Sequence, residues 1–250
     1  MSNSIVLFIN DGAVKLNNLF LNEDWQLTKI ADEIDNVFTI TVNGKKLDWM
    51  VKRYTSQKHA QKESSKLNKL KTVENVPKIL AAGLSKKLNY IIISRAPGMD
   101  LYDYVSKYGN FTEETIRPIV KQLLLVLKEI HKHQIIHKDI KPENIVYDKN
   151  NNQLTLIDFE CKQTEEYYSP EQARKQIVTE KTDLWSVGTT IYFLVSGNHP
   201  FKNRKELFQK QIVYSKNWSA LFEDFLSHLL ERDVDARYSV KDALKHPWFR

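Results

Sequence analysis

Cysteine occurs once in this chain of 250 residues, at Cys161, which excludes a disulfide framework and suits a reducing compartment. Glycine is also scarce, and none lies between Ala13 and Asn43, so that stretch lacks the positive-φ turns and close backbone approaches that glycine permits. The longest apolar run, Leu123 to Leu127, is far too short to cross a bilayer. The run Ile5 to Ile9 is too short for a signal peptide and has no basic flank. No metal-ligand cluster of Cys and His, no low-complexity tract and no internal repeat is legible. What remains is a chain long enough to bury a sizeable core, expected in cytoplasm or nucleus and not in a membrane.

Positive charge is in excess, at +6. Lys58, Lys62, Lys66 and Lys69 recur at helical spacing, the usual mark of a solvated helix face. A docking stripe for an acidic partner or nucleic acid is the alternative, which composition leaves open. Aromatic residues do not interleave with these lysines, so neither a single-strand stacking platform nor sequence-specific nucleic-acid binding is expected.

The most informative segment is His137-Lys138-Asp139-Ile140-Lys141-Pro142-Glu143-Asn144. It carries a carboxylate, a lysine two positions on and a side-chain amide five positions on. Moving a phosphoryl group onto a hydroxyl needs this set. Asp139 would orient or accept the hydroxyl proton, Lys141 would neutralise the travelling charge, and Asn144 would hold a magnesium ion.

This segment closely resembles the catalytic loop of eukaryotic-type serine/threonine protein kinases, H-R-D-L-K-P-E-N. Asp158-Phe159-Glu160 is similar to the family's D-F-G, which makes Asp158 a second metal ligand, and Leu154 to Ile157 read as a short buried strand feeding it. Thr164 to Glu171 resembles T-P-E-Y-x-A-P-E, and Asp183 to Gly188 resembles D-x-W-S-x-G. Arg237 falls where the family pairs an arginine with the A-P-E glutamate, here Glu171. Upstream, Lys52 looks like the lysine that grips the α- and β-phosphates. Glu63 is its candidate helix partner, because Glu63, Leu67 and Leu70 reproduce the spacing E-x-x-x-L-x-x-L.

The resemblance implies an α+β, bilobal kinase-like fold, with residues 1–24 as an N-terminal extension, 25–95 as a small β-sheet lobe and 96–250 as a larger, mostly helical lobe. Strands are expected over Trp25–Ile30, Val37–Val42 and Leu47–Tyr54, with a hairpin at Asn43-Gly44, then a helix from about Ser56 to Lys71. Ile79–Ala82 and Tyr90–Ile93 complete the small lobe, and Ser94 to Gly98 form a hinge. Helices follow over Leu101–Tyr108, Glu113–His133, Lys181–Val195, Trp218–Glu231 and about Val240–Lys245. By resemblance ATP sits between the lobes, with Val37, Met50, Ile93, Ser94, Ala96 and Val146 around its base and Mg2+, or Mn2+, on Asn144 and Asp158.

Three departures bear on activity. The glycine positions of the phosphate loop fall on Ile30, Asp32 and Asp35, and with Glu33 the tip is acidic. Carboxylates near a polyphosphate repel it, by about 1 kcal/mol at 4 Å in water and more in a cleft. Weaker ATP binding is the expectation, unless the acids turn outward or help hold a second metal. Met50 replaces the usual small alanine over the adenine, and Glu160 replaces the D-F-G glycine. Lys52, Glu63, Asp139, Lys141, Asn144 and Asp158 are nevertheless all present. An active enzyme is expected. A scaffold that binds partners without turnover is the alternative, and a kinase for a small molecule or lipid is a further one.

Lys141 and Thr164 match the serine/threonine branch, in which the threonine hydroxyl bonds to the catalytic aspartate and lysine. Asp100 and Glu143 fall where basophilic relatives receive substrate arginines, though both suit ordinary surface acids and Asp100 suits a ribose contact. Only Cys161, Lys162 and Gln163 separate Glu160 from Thr164, which leaves no room for a phosphorylated activation loop. Constitutive competence follows, with Lys138 pairing Glu165 or Glu166. Compactness and Ser169-Pro170-Glu171 resemble the protein kinases of large DNA viruses, such as the baculovirus late-expression kinase. That likeness implies arginine-rich DNA-packaging proteins as substrates, the host nucleus as compartment, and a monomer or homodimer.

Overall fold

The computed structural model describes residues 4–9, 12–17, 25–29, 36–84, 89–160 and 164–250. The acidic tip, with Ile30, Asp32, Glu33 and Asp35, and the segment Cys161 to Gln163 lie outside the described residues. The chain divides into two compact units. One comprises residues 1–72 and 77–96, the other residues 73–76 and 97–250.

In the first unit, β1 (Ser4–Ile9) and β2 (Gly12–Asn17) form an antiparallel hairpin. A five-stranded antiparallel sheet follows, built from β3 (Trp25–Lys29), β4 (Val37–Val42), β5 (Lys45–Tyr54), β6 (Ile79–Leu84) and β7 (Asn89–Ser94) in the order β3-β4-β5-β7-β6. Asn43 at φ 49° and Gly44 at φ 76° supply the two left-handed residues that a tight hairpin twisting with its strands requires. Alternation then sorts the side chains. Phe38, Ile40, Val42, Val51, Tyr90 and Ile92 pack into one core, with Leu47, Trp49 and Ala81 against it. The register sets Val37 opposite Lys52, and Met50 opposite Ile93, so these four share the other face.

α1 (Gln57–Lys69) buries Ala60, Glu63, Ser64 and Leu67 and leaves Lys58, Lys62 and Lys69 exposed. The lysine row is thus largely a solvated face.

In the second unit, β8 (Met99–Asp100) precedes α2 (Leu101–Tyr108) and α3 (Glu113–Lys132). Gly98 adopts φ 104°, and a Cβ there would lie 2.3 Å from the Tyr147 carbonyl oxygen, so glycine lets β8 approach its neighbour. β9 (Ile145–Asp148) and β10 (Gln153–Leu156) pair with it in the order β10-β9-β8. Residues 73–76 belong here because the Asn75 carbonyl accepts from the Leu156 amide at 2.9 Å. α4 (Pro170–Ala173), α5 (Glu180–Ser196), α6 (Arg204–Gln209), α7 (Ala220–Leu229) and α8 (Val240–Ala243) complete the unit. α5 is buried almost all round, from Thr182 through Ile191, which marks it as the central helix. α6 was not foreseen, and the helix expected from Trp218 starts after its Ser219 cap.

Candidate active site

The loop between α3 and β9 is shaped by a buried carboxylate on α5. Asp183, fully buried, accepts from the His137 amide at 2.9 Å, the Lys138 amide at 2.8 Å and His131 Nε2 at 2.8 Å. These bonds hold Lys138 at φ 73°, a conformation that costs a non-glycine residue about 1–3 kcal/mol. Asp158 is likewise left-handed, at φ 62°, and its Oδ1 accepts from the Glu160 amide at 3.3 Å. His137 bridges the two segments: Nε2 lies 3.0 Å from the Ile157 carbonyl, and its ring meets Phe159 edge-on at 4.9 Å.

The bent loop brings the predicted polar groups together. Thr164 Oγ1 donates to Asp139 Oδ1 at 3.0 Å and accepts from Lys141 Nζ at 2.8 Å. Lys141 Nζ stands 3.7 Å from Asp139 Oδ2. Asn144 Nδ2 donates to the Asp139 carbonyl at 2.8 Å and to its Oδ2 at 3.2 Å. Asp139 is buried with about 2 % exposure, so its charge is held by directed bonds and not by bulk water.

Because Asn144 spends its NH2 on Asp139, its amide oxygen is the atom it offers a ligand. With the Asp158 carboxylate this is an all-oxygen donor set, which fits a hard divalent cation. Such an ion supplies charge neutralisation for bound phosphates.

Below this loop, Arg237 donates to Glu171 through Nη1 at 2.7 Å and Nη2 at 3.0 Å, and Thr182 Oγ1 adds a bond of 2.9 Å. Burial opposes ionisation of Glu171, but the Arg237 guanidinium outweighs it and holds the carboxyl below its ordinary value. Gln172 Nε2 reaches the Lys138 carbonyl at 3.4 Å, tying this segment to the loop.

In the first unit, Lys52 Nζ donates to Glu63 Oε2 at 2.9 Å, and the Tyr54 hydroxyl reaches the same oxygen at 2.6 Å. Tyr54 was missed by sequence reasoning, although it lies two residues after Lys52 on the same strand. Val37, Met50 and Ile93 lie on the Lys52 face of the sheet, Ser94 Oγ accepts from the Lys78 amide at 2.8 Å, and Ala96 ends the unit. Val146 lies in the other unit, buried on β9.

Asp100 is the N-cap of α2, accepting from the Asp103 amide at 2.9 Å. Burial raises its carboxyl above the ordinary value. Glu143 reaches solvent, yet crowding by protein raises it too, and Asp100 and Asp139 push the same way against Lys141. One expectation fails: among the described residues, Lys138 makes no ion pair with Glu165 or Glu166, because its amide and carbonyl anchor the loop while both glutamates stay exposed.

A histidine cluster unseen in the sequence also forms: Asp224, His228 and His246 bring donor atoms within 4.8 Å of one another. His246 Nδ1 accepts from the Trp248 amide at 3.2 Å, so Nε2 carries the proton it shares with Asp224 at 3.0 Å. This contact ties α7 to the C-terminal turn and leaves no ready metal ligand on His246.

A sequence model of the protein kinase domain matches residues 37–249. The chain belongs to the protein kinase domain family. This kinase is 30% identical over 223 residues to the death-associated protein kinase dapk-1 of Caenorhabditis elegans, covering 80% of this chain and 16% of that one. It is 26% identical over 216 residues to the calcium/calmodulin-dependent protein kinase type 1 of the same organism, covering 75% and 62%. The chain thus spans less than two thirds of these relatives' lengths. The structure of the Cydia pomonella granulovirus kinase PK-1 shares its fold, with a TM-score of 0.80, 22% identity, and coverage of 90% and 95%. Family membership implies ATP and a divalent metal in general. It also bears out the α+β kinase fold expected from the motifs.

Proposed function

We propose that this kinase transfers the γ-phosphoryl group of Mg-ATP to serine and threonine hydroxyls of proteins, and that it does so without prior phosphorylation. The observation that carries this reading is the triangle of Asp139, Lys141 and Thr164 with Asn144 behind it. Asp139 orients the attacking hydroxyl and takes its proton. Lys141 sets positive charge beside the oxygen that gains negative charge. Asn144 and Asp158 hold the metal, while Lys52, fixed by Glu63 and Tyr54, neutralises the nucleotide phosphates. Lys141 in the H-x-D-x-K pattern favours serine and threonine over tyrosine.

Constitutive action is supported by the short spacing, with only Cys161 to Gln163 between Glu160 and Thr164, and by the bonds of Thr164 to Asp139 and Lys141. Asp100 and Glu143, crowded acids of which Glu143 feels both Asp100 and Asp139, support a preference for arginine-containing substrates. Likeness to a granulovirus kinase agrees with the viral reading, and on that reading basic DNA-packaging proteins in the host nucleus are the proposed substrates.

The acidic, glycine-free tip favours a second reading, a kinase-fold scaffold with little turnover. Phosphoamino-acid analysis of arginine-rich protein labelled by phosphatase-treated enzyme tests the proposal. Phosphoserine or phosphothreonine is expected. Phosphotyrosine would refute the specificity, and loss of activity on phosphatase treatment would refute constitutive action.

A further inference from the structure

The excess positive charge of the chain is concentrated in one place. Residues 52–72 hold seven of the 37 Lys and Arg but one of the 31 Asp and Glu, so the rest of the chain sums to zero. Most of this charge lies on α1, whose single acid, Glu63, is buried against Lys52. Lys58, Lys62, Lys66 and Lys69 fall within about 80° of one another around the helix axis, opposite buried Ala60, Ser64 and Leu67. Lys58, Lys62 and Lys69 are exposed and, among the described residues, enter no ion pair. Each lysine of the row meets a like charge three or four positions on, which repels it. Lys58 also stands in the first turn, at the positive end of the helix dipole. A face that served solubility alone would intersperse the two signs.

Chemistry selects the partner. The cations of the row are all lysines, compact point charges that suit phosphate oxygens and lack the planar fork that matches a carboxylate. Beside them Gln57, Gln61, Ser65 and Asn68 are exposed, neutral side chains of the kinds that also contact phosphate. No exposed side chain of α1 is apolar, so the helix offers nothing to enter a membrane or to anchor a protein partner. From Lys58 to Lys69 the row runs about 16 Å along the axis, over which a duplex presents about ten phosphates. We propose that the lysine row of α1 binds duplex DNA through its phosphates, independently of base sequence. Resting on the kinase reading, this contact holds the enzyme beside basic DNA-packaging proteins, its proposed substrates, on the same duplex.

The test reads fluorescence anisotropy of a labelled duplex titrated with the full chain. It needs no phosphate transfer, so its outcome is independent of the kinase reading. Wild type is expected to bind two unrelated sequences equally. Its affinity should fall about 10²-fold between about 50 and 200 mM salt, the dependence of about four phosphate contacts. Lys58→Gln, Lys62→Gln, Lys66→Gln and Lys69→Gln combined keep helix propensity and should weaken binding at least about tenfold, with a flatter salt dependence. Melting of this variant at or above the wild-type temperature, expected from relief of like-charge repulsion, shows it folded. Lys58→Gln with Lys62→Gln alone should lie midway in affinity. Lys121→Gln, Lys128→Gln, Lys202→Gln and Lys205→Gln combined remove four exposed lysines elsewhere and should bind like wild type. No binding by wild type, or equal losses in the two fourfold variants, overturns the proposal. Tighter binding to polyglutamate or to phosphatidylserine vesicles than to the duplex overturns it as well.

Discussion

Thr164 Oγ1 gives its proton to Asp139 Oδ1 at 3.0 Å while receiving one from Lys141 Nζ at 2.8 Å. A single hydroxyl thus sets the distance between the proposed base, Asp139, and its proposed partner cation, Lys141. It does so from outside the loop, since it stands 25 residues beyond Asp139. The activation segment is thereby tied directly to the reacting groups.

Thr164→Ala should lower kcat by about 10²-fold, the scale of a misplaced reacting geometry, with little change in KM for ATP. Thr164→Ser restores the hydroxyl and should recover most of the loss. Steady-state kinetics on both variants decide the matter, and an equal loss in the two would deny the hydroxyl this positioning role.

Asp183→Ala removes the acceptor of two loop amides and of His131 at once. Leaving these donors buried and unsatisfied should destabilise the fold by roughly 3–5 kcal/mol, and the strained Lys138 conformation loses its anchor. Denaturant unfolding should show the loss as a lower midpoint. A change below about 1 kcal/mol would mean that the loop holds its shape without Asp183.

The Glu171–Arg237 pair predicts a pH dependence of stability. The folded carboxyl lies below its ordinary value of 4.5, so the folded state binds fewer protons than the unfolded chain in that range. Stability from this pair is therefore fully present above pH 4.5 and is lost as pH falls through the depressed folded value. Unfolding of wild type and Glu171→Gln as pH falls from 6 should show a larger loss of stability in wild type than in the variant, the difference being the contribution of this pair.

Much of this was legible in the sequence because the reacting groups lie close together along the chain. Asp139, Lys141 and Asn144 share one loop, and the helical spacing of Glu63, Leu67 and Leu70 pointed to the partner of Lys52. Arg237 and Glu171, 66 positions apart, were legible only through resemblance. Other features depend on placement that no local pattern carries. Lys138, standing where the resembling loop has arginine, is expected to meet a glutamate, whereas it is its backbone that does the anchoring. α6 is only six residues long, too short for a periodic signal. His246 meets Asp224 across 22 positions.

The most direct test of the central claim is transfer of labelled γ-phosphate from ATP to an arginine-rich protein, with Mg2+ and with Mn2+, by wild type and by Asp139→Asn. Transfer by wild type that vanishes in a folded Asp139→Asn variant is the predicted result. Folded wild type that transfers no phosphate with either metal would contradict the account and leave a kinase fold that binds without catalysing.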